Sequence, residues 1–240
     1  MLAAPPHGSG AGPTERESQR RELLAAARPA LLPAFAPVRR AALLVGSTKP
    51  RGVSASEQLA RAIAVELEEQ GVEAELHYAT EFVNDDAAAL ASARVIASAD
   101  LFVLCSPLNG DMLPALVVQA LELVAEVRTA PGDALFVPVL QGGLELEHTL
   151  RALRIARHFA DHAGYHFAGA LPFGAGSLTP ERSLAEARPS VDHIARAIQL
   201  AAPALAAGES IPEQALQAVL KAPGVLRSRD RMRSAPGLQT

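Results

Sequence analysis

The chain has no tryptophan, one cysteine, two lysines and only 4% aromatic residues. The lone Cys105 excludes an intrachain disulfide framework and fits a reducing compartment, so a cytoplasmic location is expected. Positive charge is not in surplus: 22 Lys plus Arg stand against 26 Asp plus Glu, a net charge of −4. No basic stripe interleaves with aromatics, which argues against a nucleic-acid partner. No apolar run is long enough to cross a bilayer, and Met1 to Pro6 lacks the basic start and apolar stretch of a signal peptide; no membrane partner is expected. The arginine bias and the alanine excess read as composition, yet they leave Lys49 conspicuous. What is there is a 49% hydrophobic content over 240 residues. That suffices for the core of one α/β domain with appendages.

From Arg40 onward, strand-like and helix-like patterns alternate five times. Ala41–Val45 reads as the first strand and Ser54–Gln70 as an amphipathic helix, with Leu59, Ile63 and Leu67 on one face and Gly71 closing it. Glu73–Tyr78 is the second strand, followed by a helix capped by Asp85 or Asp86. Leu101–Cys105 is an unbroken apolar run, as expected for a strand covered on both faces. A helix from Pro114 to about Val127, a strand Leu135–Leu140, a helix Glu145–Ala163 and a strand His166–Leu171 follow. Such alternation predicts a parallel sheet wrapped on both sides by helices. A closing helix is expected at Val191–Ala206 and a shorter one at Pro212–Leu220. Residues 1–39 read as a flexible extension, Pro/Gly/Ser-rich at first and then helical from Thr14 to Ala27. Residues 208–240 hold the short helix and a mobile tail carrying Arg227, Arg229, Arg231 and Arg233.

The stretch Gly46-Ser47-Thr48-Lys49-Pro50-Arg51-Gly52-Val53-Ser54-Ala55-Ser56 joins the first strand to the first helix of the alternation. A strand feeding a Gly/Ser loop and a helix start gathers free N–H groups, hydroxyls and a positive dipole end, which together bind phosphate. The P-loop pattern Gly-x-x-x-x-Gly-Lys-Ser/Thr is missing. So is Gly-x-Gly-x-x-Gly, because only Gly46 and Gly52 are available here. A hydroxyl-lined loop for a terminal phosphomonoester remains, with Ser47, Thr48, Ser54 and Ser56 as donors and Lys49 or Arg51 at the rim. The plainer alternative is a polar loop in which Ser54 merely caps the helix.

Ligands of doubly wound sheets sit beyond the carboxyl ends of the strands, so the loops after strands one, three and four should meet. The second is Ser106-Pro107-Leu108-Asn109-Gly110-Asp111-Met112-Leu113-Pro114, and the third is Gln141-Gly142-Gly143-Leu144. Both contain glycine where a flat ligand needs close backbone approach, and Asn109 is placed to bond a heterocycle edge. For each loop alone, a turn using Gly and Pro for geometry explains the residues equally well.

These residues in this order resemble the flavodoxin-like NAD(P)H-dependent oxidoreductases that bind FMN. The likeness is carried by Gly46-Ser47, Ser54-x-Ser56, Ser106-Pro107-Leu108 with Asp111-x-x-Pro114, Gly142-Gly143, and Ala163-Gly164-Tyr165-His166-Phe167 leading to Gly174-x-Gly176. It covers roughly Arg40 to Gly176, with weaker agreement through the closing helix. The resemblance implies a flavodoxin-like, doubly wound, five-stranded parallel sheet of order 2-1-3-4-5, occupying residues 40–207. It also implies that Ser47, Ser54, Ala55 and Ser56 hold the FMN phosphate. Pro107, Leu108, Asn109 and Gly110 would line one side of the isoalloxazine, and Gln141, Gly142 and Gly143 the other. Asn109 departs from the family, whose members commonly carry tyrosine there; an aromatic contact contributes ~0.5–1.5 kcal/mol beyond its area.

The implied activity is an FMN-dependent oxidoreductase that passes a hydride from NAD(P)H to a small organic or quinone-type acceptor. Flavin chemistry needs no acidic or basic side chain, so no catalytic residue is assigned. The scarcity of aromatics leaves few side chains to shield a flavin, which a homodimer would remedy; the resemblance implies one too. The alternative is a flavodoxin-like scaffold or electron carrier without NAD(P)H turnover, to which Asn109 and the terminal segments point. His158 and His162 have metal spacing with Asp161 between them, but the solvated face of a helix accounts for them more simply, and no metal is expected. His148 lies near the proposed flavin edge and is a candidate to assist a substrate. Cys105 reads as a small core residue, and without a Gly-x-Ser-x-Gly elbow a hydrolase triad has no support.

Overall fold

The computed structural model describes residues 15–30, 35–83, 85–142, 146–174 and 192–220. Their elements are α1 (Glu15–Ala27), β1 (Arg40–Val45), α2 (Ala55–Glu68), β2 (Glu73–Tyr78), α3 (Asp86–Ser98), β3 (Leu101–Pro107), α4 (Ala115–Val127) and β4 (Leu135–Gln141). There follow α5 (Leu150–Ala163), β5 (His166–Phe167), β6 (Leu171–Phe173), α6 (Asp192–Ala206) and α7 (Glu213–Leu220). Short 3-10 turns occupy Ala79–Phe82 and Leu146–Thr149.

The strands run parallel in the order β2-β1-β3-β4-β5, with β6 also bonded to β4. In register, Leu43 of β1 lies beside Leu76 of β2 and Val103 of β3, and Val103 beside Val137 of β4. One face of the sheet, with Val103, Val137, Val139 and Leu171, packs on Ile63 of α2 and Ile198 and Leu205 of α6. On the other, Phe102 and Phe136 lie 5.1 Å apart between ring centroids and meet Phe159 of α5 at 6.0 and 5.1 Å. Burying each such side chain contributes roughly 1.5–3 kcal/mol. Both faces are therefore dry, which is why β1, β3 and β4 read as continuous apolar runs.

Two expectations are corrected. The fifth strand, predicted as continuous over His166–Leu171, is two short strands, so the sheet has six strands rather than five. Between them the chain leaves the β4 ladder. The Ala170 N–H donates to Ala27 O at 2.9 Å, Ala168 O accepts from Ile211 N at 2.8 Å, and Phe167 O accepts from Ala30 N at 3.2 Å. Gly169 turns the chain at φ 108°, and a Cβ there would lie 3.2 Å from Ile211 Cβ. Apolar periodicity could not register that this edge is closed by segments from the two ends of the chain, a common way of blunting a sheet edge. The second correction is at the fourth helix of the alternation, where Leu146–Thr149 is a 3-10 turn and α5 begins only at Leu150.

The segment expected as an N-terminal extension contains α1, whose Leu23 and Ala27 are in the core, and α7 contributes Ala215, Leu216 and Val219. Thr14 and the arginines of the tail lie outside the described residues. No described helix is long and apolar enough to cross a membrane.

Candidate functional site

Gly46, at the exit of β1, donates its N–H to Cys105 O at 2.8 Å. A Cβ at Gly46 would stand 2.7 Å from Ser106 Oγ and 2.7 Å from Val117 Cγ2, so only glycine lets the loops after β1 and β3 come this close. Ser47 is buried and its Oγ accepts the Lys49 N–H at 3.2 Å, an arrangement that bends the loop. Ser54 is the N-cap of α2: with φ −115° and ψ 143°, its Oγ accepts the Glu57 N–H at 3.1 Å. The first N–H groups of a helix have no intrahelical acceptor, so those of Ala55 and Ser56 remain for a ligand.

Ser56 is buried, and its Oγ donates to Gln141 Oε1 at 3.0 Å. Gln141 O in turn accepts the Leu108 N–H at 2.9 Å, and Gly142 N–H donates to Phe173 O at 2.9 Å. One glutamine therefore joins the loops after β1, β3 and β4, the three that the sequence reading brought together. Pro107 is paired in register with Gln141. Beyond Leu108 the chain makes a tight turn: Asn109 and Met112 exchange backbone hydrogen bonds of 2.9 and 3.2 Å, while Gly110 and Asp111 have φ of 57° and 67°. Asn109 and Gly110 are exposed at its tip. Gly143 lies outside the described residues.

The two rim cations part company. Lys49 is exposed beside the loop, whereas Arg51 pairs with Glu81 and lies over the Tyr78 ring, 4.2 Å from its centroid. Arg51 is thus drawn toward the end of β2.

Sequence reasoning missed Glu57. It stands three residues after Ser54, and this Ser-x-x-Glu spacing is the capping-box signal that would have flagged it. The carboxylate is buried and accepts from Gly52 N at 2.5 Å, from Arg61 Nη2 at 2.8 Å and from the Tyr78 hydroxyl at 2.9 Å. Burial alone would raise its pKa, but the Gly52 N–H, Arg61 and Tyr78 together outweigh that and hold it below the usual carboxylate range. Burial first, and then the bond to Glu57, push the Tyr78 hydroxyl up. The negative charge nearest the helix start is therefore matched by the chain's own cation, Arg61, and occupied by Gly52 and Tyr78.

Two other candidates remain. Cys105 is fully buried and burial pushes its thiol up, so it is a packing residue. His158 and His162 stack along α5 with ring centroids 6.4 Å apart, and the described residues hold no cluster of three or more metal-ligating side chains.

The residues present fit a flavin mononucleotide. Unpaired amides, buried hydroxyls and a helix start suit its phosphate, and two glycine-bearing loops joined through Gln141 suit its ring. A family model described as NADPH-dependent FMN reductase matches residues 39–170. Among solved structures, RosB with a bound 8-demethyl-8-formylriboflavin-5'-phosphate superposes with a TM-score of 0.52 at 13% identity, covering 84% of this chain and 90% of that one. The azoreductase AzrA does so with a TM-score of 0.48 at 13% identity, covering 67% of this chain and 99% of that one. A flavodoxin from Streptococcus pneumoniae TIGR4 reaches a TM-score of 0.42 at 18% identity, over 62% and 94%. No curated protein matches the chain.

Proposed function

The chain belongs to the NADPH-dependent FMN reductase family, and from that premise we propose how its own residues serve the reaction. It is an oxidoreductase that uses FMN, with NAD(P)H as reductant. Ser47, Ser54 and Ser56, with the Ala55 and Ser56 amides, hold the phosphate; Lys49 offsets its charge from the rim. Pro107 to Gly110 line one side of the ring and Gln141 to Gly143 the other. When bound between these loops, FMN would supply the hydride-transfer chemistry that links NAD(P)H to a small organic or quinone-type acceptor. The protein's contribution is orientation, backbone hydrogen bonds and exclusion of water.

The observation that supports this reading most is the double use of Gln141, bonded to Ser56 and to Leu108. It closes three loops around one place, beyond the carboxyl ends of β1, β3 and β4, where such sheets bind ligands. The test is an absorption spectrum of the purified protein, followed by titration with FMN and then NADPH. Flavin bands that bleach with NADPH support the proposal. A protein that refuses added FMN overturns it in favour of a scaffold. Bound flavin that NADPH cannot bleach marks an electron carrier.

A homodimer in a reducing, cytoplasmic compartment completes the proposal. Val53 and Met112, each more than two-fifths exposed, stand in two of the site loops and suit cover by a second copy. Light scattering of the purified protein reads that state directly, and a monomer at micromolar concentration would remove it.

A further inference from the structure

Asp111 is the one non-glycine among the described residues with a left-handed backbone, φ 67°. Aspartate tolerates that conformation better than bulkier residues, but strain of this kind persists only where its surroundings impose it, and it gathers at functional sites. Its side chain shows what it is held for. Asp111 Oδ1 lies 2.9 Å from His148 Nδ1, across from the loop after β3 to the 3-10 turn that follows β4. A carboxylate can only accept, so Nδ1 carries the hydrogen, and Nε2 is the nitrogen left to exchange a proton with a substrate. The imidazole is 44% exposed, so water reaches it. The pair bridges two of the three loops that frame the proposed flavin site.

We propose that His148, oriented by Asp111, delivers the proton that an organic acceptor takes together with its hydride. The proposal rests on the flavin reading above and narrows the acceptor to compounds, such as quinones, whose reduction consumes a proton. Converting a quinone to a hydroquinone adds two electrons and two hydrogens. One hydrogen and both electrons come from NAD(P)H as a hydride, by way of the flavin, leaving NAD(P)+. The other is a proton: it leaves Nε2 of protonated His148 for a quinone oxygen, and the electrons of the broken N–H bond stay on Nε2. Solvent then reprotonates the ring. His148 is the catalytic residue in this step and Asp111 a positioning residue.

The test compares two acceptors on the FMN-loaded protein. Menadione takes a hydride and a proton, whereas ferricyanide takes one electron and no proton. His148→Ala should lower the menadione-to-ferricyanide rate ratio about 100-fold, the lower end of what a positioned acid contributes. Added imidazole should restore part of the menadione rate, which a merely structural role would not allow. His148→Gln serves if the alanine variant does not fold. Asp111→Asn should lower the ratio less, and in FMN-free protein nitrogen NMR of the His148 ring should show the Nδ1–H form giving way to a mixture of tautomers. A ratio unchanged by His148→Ala, or both acceptors slowed alike, overturns the proposal. Failure of the flavin reading shows separately, as wild-type protein that NADPH does not reduce and that passes nothing to ferricyanide; that result overturns both.

Discussion

At the amino end of the sheet, polar groups are bound to the chain itself. Asp100 Oδ2 accepts the N–H groups of both Arg39 and Arg40 at 2.9 Å. Arg128, with only 2% of its side chain exposed, donates to Ala97 O at 2.6 Å and to Asp133 Oδ1 at 2.5 Å, and lies 3.9 Å from the Tyr165 ring centroid. Burial pushes the Tyr165 hydroxyl up to about 12, so it stays neutral beneath that cation. At the carboxyl end the hydroxyls are just as buried, yet the α2 amides beside them have no intrahelical acceptor, and two successive residues turn with positive φ. A cleft of about 370 Å³ does open at the amino end, lined by Arg94, Asp100, Arg128 and Asp133 among others. Its buried cation is already held: Arg128 ties α3 at Ala97 to Asp133 before β4 and lies over Tyr165 beyond α5. One end of the sheet is a clasp and the other, in the proposed reading, a cradle for an anion, although both are built by the same strand–helix repeat.

The sharpest way to break that comparison is to place an anion in the cradle. Ser54→Glu sets a carboxylate where the phosphate belongs, and two unit charges 4 Å apart near a protein surface repel by about 4 kcal/mol. FMN affinity measured by fluorescence quenching should fall at least 100-fold. Circular dichroism should show the fold retained, with Ser54→Ala as the control that loses the cap, about 1 kcal/mol of stability, and one phosphate hydroxyl, but adds no charge. Unchanged FMN binding in Ser54→Glu would falsify the phosphate assignment.

The complementary change attacks the clasp. Arg128→Ala removes a desolvated cation–π contact and two charged hydrogen bonds, so a loss of about 3 kcal/mol is expected in urea unfolding. FMN affinity should change less than threefold, because the cradle lies at the opposite end of the strands. Parallel loss of flavin would show that the two ends are not separable.

How much of this could be read from the sequence follows the same division. The strand order came only with the family resemblance, whereas the parallel sheet and the three converging loops were legible because they depend on local patterns: apolar runs, Ser54 at a helix start, glycine at strand ends. The break at Gly169 was not, because its backbone partners Ala27 and Ile211 come from opposite ends of the chain. Nor was Gln141's bond to Ser56, 85 residues away in the chain. Asp111 was quoted only for its spacing from Pro114, and His148 as a candidate to assist a substrate only from its place near the flavin edge. Their pairing required a turn whose positive φ at Asp111 no local pattern announces, since that conformation usually calls for glycine.

Glu57 offers a smaller test of the border between cradle and rim. Its pKa is depressed in the folded chain from an ordinary 4.5, so its contribution to stability is complete above that value and disappears as pH falls through the lower, folded one. Glu57→Gln should therefore flatten the acid limb of a stability-against-pH curve below 4.5 while lowering the plateau above it. An acid limb identical to the wild type would mean that Gly52, Arg61 and Tyr78 do not hold the charge in solution.

The smallest effect is expected at Asn109, and it bears on why the two ends differ in composition as well as in pairing. Phe102, Phe136, Phe159 and Tyr165 form one cluster, with ring centroids 5.1 to 6.1 Å apart, on the strand ends away from the cradle. The chain's few aromatics thus serve the core, and the turn that would flank the flavin ring carries the exposed Asn109 instead. Asn109→Tyr should return a ring contact of ~0.5–1.5 kcal/mol, a two- to tenfold gain in FMN affinity. The gain should come with no change in melting temperature without flavin, because Asn109 is exposed at the tip of this turn. If affinity is unmoved, position 109 does not face the ring, and the apolar cover for that side of the flavin must come from elsewhere, as from the second copy of the proposed homodimer.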